Sequence, residues 1–279
     1  MNNLDNLKSY DNVELVQGHE LSEQELRDYC MMKLQSAKSN VEFLEQTILN
    51  PGGGIKKPIN ICEIGGGNGK LLYCLEKKEL LKKGINYEVS KSRCELAQKF
   101  AQILSCNKVE NINKNFLEVK PEKEIFDCII MVDVVMQLIS PLYDAAENDT
   151  IAWIKRSLKK GGYLFLEIED YSKIIEGVCE DGVLRRWEEF PQEDPFQYML
   201  QKMSVDIDGN LVVEKWFIRR NSSEREYFKN VIQSYTKHKI KELFSRNGFD
   251  VTIHLCEDDL LFQSGRSGNE IFRIIAKKL

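Results

Sequence analysis

Four residues near position 65 have the types and the spacing of a cofactor-binding turn. Glu63, Gly65, Gly67 and Gly69 form the pattern E-x-G-x-G-x-G within the segment Ile59–Leu72. The segment opens with an apolar run typical of a buried strand and continues into a helical pattern, so the glycines fall between strand and helix. Glycine has no Cβ atom, so the backbone can bend sharply there and a large ligand can lie directly against it. Because a carboxylate ends the strand, the turn suits a cationic or hydroxyl- and amine-bearing cofactor better than a triphosphate.

Three kinds of cofactor turn compete for this segment, and their spacings differ. A phosphate-binding loop requires G-x-x-x-x-G-K-[ST], but Ile64 stands five residues before Gly69, and Leu71 takes the place of the serine or threonine. A dinucleotide fingerprint begun at Gly65 requires glycine or alanine where this chain has Lys70, which weakens that assignment without excluding it. All four fixed positions match motif I of the class I S-adenosylmethionine-dependent methyltransferases, and the segment resembles that motif. A glycine-rich turn without any ligand is the remaining alternative.

Three later segments resemble the other cofactor contacts of this methyltransferase family, in the same order. Glu88 lies 25 residues after the acid of the glycine turn, where the resemblance implies a carboxylate that binds the ribose hydroxyls. Asn115 and Phe116 follow the third predicted strand, and the resemblance implies that they contact adenine. The stretch Phe126–Asp133 is similar to the one that runs beneath the methionine part of the cofactor, and it ends in Asp133.

The candidate catalytic residues follow from the chemistry that the resemblance implies. A methyl group leaves a sulfonium by in-line displacement, so a base is needed for a hydroxyl acceptor and much less for a neutral amine. His19 belongs to the N-terminal segment that folds over the active site in relatives, and Tyr10 in the same segment is expected to pack on the cofactor. Glu169 follows the fifth predicted strand, at the edge where open α/β sheets bind ligands. Gln137 occupies the place where many relatives carry histidine, and no metal is predicted.

Alternating apolar strands and amphipathic helices from residue 59 onward must position these residues. This alternation predicts a parallel α/β sheet with crossover helices. The resemblance implies a Rossmann-like, doubly wound sheet of seven strands, mostly parallel with an antiparallel strand at the C-terminus. The predicted strands cover 59–64, 86–89, 109–112, 126–132, 162–168, 249–256 and 270–277, and the predicted helices cover 69–82, 92–105, 145–159 and 236–247. Glycine after two lysines predicts a helix end at 159–162.

Two regions lie outside that predicted sheet, and we expect them to select the substrate. Residues 1–57 are predicted to form an N-terminal helical lid, whose helix begins at Ser22 with a capping box to Glu25. Residues 58–279 form the predicted methyltransferase core, in which 170–235 is an insert on the substrate side. Two apolar segments at 196–205 and 211–218 predict a hairpin there. The aromatic and arginine side chains of the insert either bind a sugar, nucleobase or anionic group or close a small core with solvated cations.

Composition narrows the class of protein. The net charge is −5, with 30% charged and 42% hydrophobic residues, which is typical of a globular chain without general affinity for nucleic acid. No apolar stretch reaches the length of a membrane helix, no signal peptide opens the chain, and the eight cysteines are scattered, so we expect a cytoplasmic protein.

Taken together, the motifs predict an S-adenosylmethionine-dependent methyltransferase of small molecules. The expected acceptor is a hydroxyl of a sugar or related polar metabolite. An N-methyltransferase of an amine or amino sugar is the first alternative. A catalytically silent relative that binds cofactor and a nicotinamide oxidoreductase are the others. We expect a small-molecule partner rather than nucleic acid or membrane, with a homodimer as a possible assembly.

Overall fold

The computed structural model describes residues 21–49, 58–190, 192, 196–221, 223, 225–256 and 270–279. Within these ranges the chain forms eleven strands. They are β1 (Ile59–Ile64), β2 (Leu81–Tyr87), β3 (Val109–Ile112), β4 (Phe126–Met131), β5 (Leu158–Glu169), β6 (Leu184–Glu189), β7 (Phe196–Val205), β8 (Leu211–Arg219), β9 (Arg225–Ile232), β10 (Phe249–Leu255) and β11 (Ile271–Lys278). The α-helices of the same ranges are α1 (Glu23–Leu44), α2 (Lys70–Lys77), α3 (Lys91–Leu104), α4 (Val135–Ile139), α5 (Ala146–Ser157), α6 (Ser172–Asp181) and α7 (Lys237–Arg246).

Seven strands form the larger sheet, in the order β10-β11-β5-β4-β1-β2-β3. The pairs from β5 to β3 are parallel, and β11 runs antiparallel to both β5 and β10. The Rossmann-like, doubly wound fold expected from the sequence is therefore confirmed, including its antiparallel C-terminal strand. The strand order reverses beside β1, and this reversal opens a crevice at the carboxyl ends of β1 and β4.

Helices cover both faces of this sheet, which is why its strands are apolar on both sides. On one face, Ile64, Met131 and Leu166 pack with Trp153 of α5 and Phe244 of α7. On the other face, Ile61, Ile130 and Phe165 pack with residues of α1 and α2, including Val41 and Leu44. The predicted capping box begins α1, since the Ser22 side chain accepts from the Glu25 N–H and the Glu25 carboxylate accepts from the Ser22 N–H.

Several boundaries differ from those expected, including the end of the helix predicted over 69–82, which lies at Lys77. The helix predicted over 145–159 ends at Ser157, and the lysines and glycines at 159–162 lie inside β5 rather than in a helix cap. A register shift occurs where β5 begins beside β4, and the Lys159 ammonium lies 2.7 Å from an Asp127 carboxylate oxygen in that irregular stretch. The second strand begins at Leu81 rather than at 86, because it pairs with β1 from Leu81 to Tyr87.

The insert is larger than the predicted hairpin. The two predicted strands are present as β7 and β8, but β6 and β9 flank them in a four-stranded antiparallel sheet of order β6-β7-β8-β9, and α6 precedes it. The β6 strand has four charged residues in the six of Leu184–Glu189, so its sequence lacks the apolar alternation of a half-buried strand. Of the helices within the described ranges, none is both long enough and apolar enough to span a membrane.

Candidate active site

A cavity of about 1410 Å³ lies at the carboxyl ends of the parallel strands. Its walls come from four parts of the chain: the glycine turn after β1, the ends of β2, β4 and β5, one side of α1, and the inner face of the four-stranded sheet. Ligands of open α/β sheets bind at this edge, because the loops there diverge to either side of the sheet. The two regions expected to select the substrate therefore border the same cavity as the cofactor motifs.

The glycine turn has a backbone that other residues would strain. Gly65, Gly67 and Gly69 have φ angles of +68°, +56° and +73°. A Cβ atom at Gly65 would lie 2.7 Å from a methyl carbon of Val135, and one at Gly69 would lie 2.8 Å from the ring of Tyr73. Glycine is required here both for its conformation and for close packing, so the turn can approach a ligand without side chains in between.

Glu88 is held against the glycine turn. One carboxylate oxygen accepts a hydrogen bond of 2.8 Å from the Gly67 N–H, and the other accepts one of 2.8 Å from the Ser90 N–H. Glu88 is buried at the end of β2 and lines the cavity. Each carboxylate oxygen has two lone pairs and so can accept more than one hydrogen bond.

Glu63 is a buried acid of the cavity with a raised pKa. It is only 2% exposed, and burial raises its pKa to about 8, with the carboxylates of Asp133 and Glu88 adding to the effect and the Lys70 ammonium opposing it. Within the described part of the chain, its Oε2 atom has no hydrogen-bond partner. A buried carboxyl that lines an open cavity and has an unused oxygen suits a ligand that brings a positive charge or hydrogen-bond donors.

The remaining predicted cofactor residues also reach the cavity. The side-chain oxygen of Asn115 accepts from the Leu117 N–H at 3.1 Å, which fixes the turn that presents Phe116. The Phe116 ring packs edge-on against Trp153, with 5.2 Å between centroids. Asp133 lies 3.8 Å from the Lys70 ammonium, at a φ of +55°. Of the predicted cofactor residues that the structure describes, all but Gly69 line this one cavity.

Gln137 is placed away from the cavity wall. Its side-chain N–H groups donate to the carbonyls of Glu169 and Gln233 at 2.9 and 3.0 Å, and its side-chain oxygen accepts from the Glu169 N–H at 2.9 Å. It is fully buried. The two amide N–H groups therefore link α4 to the end of β5 and to the segment after β9. With these bonds made, the side chain is placed to position neighbouring backbone rather than to transfer a proton.

Glu169 lies where the two halves of the cavity meet. Its backbone is held by Gln137, and its carboxylate accepts a hydrogen bond of 2.8 Å from the Tyr171 hydroxyl. The residue is 4% exposed and lines the cavity. Of the three candidate catalytic residues, Glu169 is thus the one that the structure places at the cavity with an ionisable group. His19 and Tyr10 lie outside the described residues.

The inner face of the four-stranded sheet supplies polar groups opposite the cofactor motifs. Arg186, Gln201 and Lys215 stand directly opposite one another on β6, β7 and β8, and all three line the cavity. Apolar side chains such as Met203 and Val213 lie beside them on the same face, two residues further along each strand. This surface can hold a ligand that has both an apolar part and an anionic or hydroxyl-rich part.

Asn86 is a site residue that the motifs did not reveal. It is fully buried in β2, and its side-chain N–H groups donate to the Gly67 carbonyl at 3.3 Å and to the Asn111 side-chain oxygen at 3.0 Å. A Cβ at Gly66 would lie 2.5 Å from the Asn86 oxygen and 2.6 Å from the Glu63 carboxyl carbon. The signal was present in the sequence as an amide between apolar residues in a buried strand.

Metal ligation has no support in the described ranges, where no group of three or more histidine, cysteine, aspartate or glutamate side chains could hold an ion. The cavity offers buried carboxylates, the backbone of the glycine turn and the polar row of the insert.

Comparison with known proteins agrees with this geometry. A sequence model of the methyltransferase domain matches residues 35–254. The fold is similar to that of an S-adenosylmethionine-dependent methyltransferase from Clostridium acetobutylicum, with 12% identity, 96% of each chain covered and a TM-score of 0.63.

Two further solved structures share the fold. The CcbJ methyltransferase from Streptomyces caelestis has 11% identity, 98% and 99% coverage of this chain and its own, and a TM-score of 0.63. The amino pentose methyltransferase CalS10 from Micromonospora echinaspora, solved with S-adenosylmethionine bound, has 12% identity, 95% coverage of each chain and a TM-score of 0.58. No curated protein matches the sequence.

Proposed function

Because the chain belongs to the methyltransferase-domain family, as a class I S-adenosylmethionine-dependent methyltransferase, we propose that it methylates a small polar molecule at a hydroxyl of a sugar or related metabolite. The observation that carries this proposal is the position of Glu169. Its buried carboxylate lies where the cofactor motifs meet the inner face of the insert, so it can take the proton of a hydroxyl held between them.

The residues of the glycine turn fit S-adenosylmethionine. The close approach allowed by Gly65, Gly67 and Gly69, together with the unused buried oxygen of Glu63, suits a cationic ligand that lies on the backbone. We assign Glu88 to the ribose hydroxyls, Asn115 and Phe116 to adenine, and Asp133 to the methionine part, with Tyr10 packing from the N-terminal segment. When bound, the cofactor supplies an electrophilic methyl group on a sulfonium.

The chain's own residues would contribute positioning and proton transfer. Glu169 accepts the hydroxyl proton as the acceptor oxygen becomes nucleophilic, while the Tyr171 hydroxyl holds the carboxylate in place. Gln137 positions Glu169 through both of its backbone groups. The N-terminal region, 1–57, acts as a lid in this proposal: α1 borders the cavity with side chains such as Ser36 and Ser39, and His19 is a second candidate base.

The insert, 170–235, would hold the acceptor. The Arg186–Gln201–Lys215 row offers two cations and an amide across about two strand spacings, or about 10 Å. Such a row suits an acceptor with a phosphate or carboxylate in addition to its hydroxyls.

The cysteines support a cytoplasmic location for the protein. All eight lie in the described ranges and none of them forms a disulfide.

A second candidate function is N-methylation of an amine or amino sugar. The same Glu169 carboxylate could bind an acceptor ammonium and remove its proton before transfer. One structural neighbour, CalS10, is an amino pentose methyltransferase. For an amine acceptor, Glu169 would contribute less to the rate once the amine is neutral. The loss of activity in a Glu169 variant should therefore become smaller as the pH rises.

The test combines binding with turnover. Calorimetry should show S-adenosylhomocysteine binding, and Glu88→Ala should weaken it at least about tenfold, whereas the exposed Glu118→Ala should leave it unchanged. Formation of S-adenosylhomocysteine is then followed with panels of phosphorylated sugars, free sugars and amino sugars. Binding of NAD in place of S-adenosylhomocysteine would favour an oxidoreductase, and cofactor binding without turnover on any panel would favour a silent relative.

The base is tested separately once an acceptor turns over. Glu169→Gln should lower kcat by about 10² to 10⁴ while the affinity for S-adenosylhomocysteine stays within about twofold. Glu176→Gln makes the same change at an exposed position of the neighbouring α6 and should behave as wild type. Normal kcat in Glu169→Gln would remove this acid from the mechanism.

A further inference from the structure

The outer face of the four-stranded sheet has a continuous apolar row. Trp187, Leu200, Trp216 and Tyr227, here called the aromatic row, stand directly opposite one another on β6, β7, β8 and β9. Side chains alternate between the faces of a strand, and the neighbours of these residues, such as Gln201 and Lys215, point into the cavity. The aromatic row therefore crosses the sheet on the face opposite these side chains, and only its end residue Trp187 also borders the cavity.

This row is exposed to an extent unusual for large apolar side chains. Trp187 is 67% exposed, Tyr227 50% and Leu200 43%. The rings of Trp216 and Tyr227 lie 5.2 Å apart, and Trp187 lies 6.0 Å from the ring of Tyr198 on the same face. Single exposed apolar residues are ordinary on protein surfaces, but a contiguous aromatic patch usually marks an interaction surface.

We propose that this face is the interface of a homodimer in which two copies of the sheet pack face to face around a two-fold axis parallel to the strands. Aligned packing of two sheets is a common arrangement, and the row provides side chains that interdigitate across it. This axis places β6 over β9 of the partner and β7 over its β8. Each end of the aromatic row then meets the opposite end of its copy, so the apolar surfaces coincide.

Most of the charges on either side of the row fit this arrangement. Two residues along each strand, the next row on the same face consists of Glu189, Tyr198, Ile218 and Arg225, so the axis brings Glu189 over the second copy of Arg225. The row on the other side consists of Arg185, Lys202, Glu214 and Lys229, and the axis brings Lys202 over Glu214 and Arg185 over Lys229. A second copy thus meets opposite charges at Glu189 and at the central pair, while the two exposed cations face each other only at the edges of the sheet.

The area of the outer face of the four-stranded sheet limits the expected affinity of the dimer. Four strands about 4.8 Å apart span roughly 19 Å, and the seven residues from Tyr198 to Ser204 extend about 24 Å along the strands. The flat area is then about 450 Å² per subunit, below the roughly 800 Å² that each partner buries in a standard interface. We therefore expect a weak, reversible dimer.

Sedimentation of the full chain over a range of concentrations tests the interface. The wild type should pass from monomer to dimer as the concentration rises. Trp216→Glu should raise the dissociation constant at least tenfold. Ile207→Glu makes the same kind of change at the fully exposed turn between β7 and β8 and should dimerise as wild type does. Retained binding of S-adenosylhomocysteine by each variant confirms that it is folded.

A charge exchange distinguishes this geometry from any other dimer. Glu189→Arg and Arg225→Glu should each weaken the dimer, and the double variant should restore it, because each new arginine again meets a glutamate. The two residues lie on opposite edges of one sheet, separated by Tyr198 and Ile218, so restoration can come only from contact between subunits. A monomer at millimolar concentration, a dimer unaffected by Trp216→Glu, or a double variant no better than the singles would overturn the proposal.

Discussion

Replacing Glu63 by glutamine should stabilise the protein increasingly as the pH rises. The carboxyl is buried at the glycine turn, where burial together with the nearby carboxylates of Glu88 and Asp133 raises its pKa to about 8 against an ordinary 4.5. The folded protein therefore keeps a proton that the unfolded chain releases. Raising the pH favours the unfolded chain until the folded carboxyl also ionises.

The magnitude follows from the two pKa values. Below pH 4.5 the group is protonated in both states and costs nothing, and between 4.5 and 8 the free energy of unfolding falls by about 1.4 kcal/mol for each pH unit. Above 8 the loss is complete. Glutamine has a similar shape and cannot ionise, so its stability relative to wild type should rise by about 2 to 3 kcal/mol between pH 6 and pH 9.

The assay is urea unfolding of the ligand-free wild type and variant at several pH values in this window. Comparing the two proteins at each pH cancels the titration of every other group. Glu118→Gln, at an exposed position after β3, provides the matched control and should follow the wild type throughout. A difference between Glu63→Gln and wild type that stays constant within about 0.5 kcal/mol over this range would refute the reasoning, because it would mean that Glu63 is already ionised in the folded state.

Three further substitutions test the local geometry. Gly69→Ala places a methyl group against a tyrosine ring at a residue with a φ of +73°, so thermal unfolding should show a loss of stability of about 1 to 2 kcal/mol. The control Gly177→Ala lies on a helix with open space around it and should leave stability unchanged or increase it. Gln137→Leu leaves two backbone carbonyls and one N–H without their partner, so urea unfolding should show a loss of at least about 2 kcal/mol, and unchanged stability would contradict the bonds assigned to it. Val134 has a φ of +61°, which strains a β-branched residue, so Val134→Asn should raise stability by about 0.5 to 1 kcal/mol, and a clear loss in calorimetry would show that the turn is not strained.

Much of the large sheet could be predicted because its signals are local. Strands β1 and β3 were expected at the residues where they occur, and the glycine turn was expected between the apolar run of β1 and α2. A buried parallel strand needs apolar side chains on both faces, and a tight turn needs glycine where φ is positive, so both leave a mark in a few consecutive residues.

The insert was predicted less completely because its strands are stabilised by pairing rather than by composition. The charged sequence of β6 gives no periodic signal, and the strand forms because β7 offers it an open edge over six residue pairs. The aromatic row shows the same limit: its four members are spread over some forty residues and become neighbours only through register.

The sequence by itself determined the nature of the glycine turn, since types and spacings there depend on covalent geometry and backbone conformation. It also predicted Glu88 by its distance along the chain from that turn and Asp133 by the resemblance of the stretch that it ends. Only the tertiary structure decided what each side chain faces. The Gln137 amide hydrogen-bonds to the backbone of Glu169, and the Glu63 carboxyl is buried with a raised pKa. The structure also shows which face of the insert lines the cavity. Burial, charge and partners depend on segments distant in the chain, and no local pattern records them.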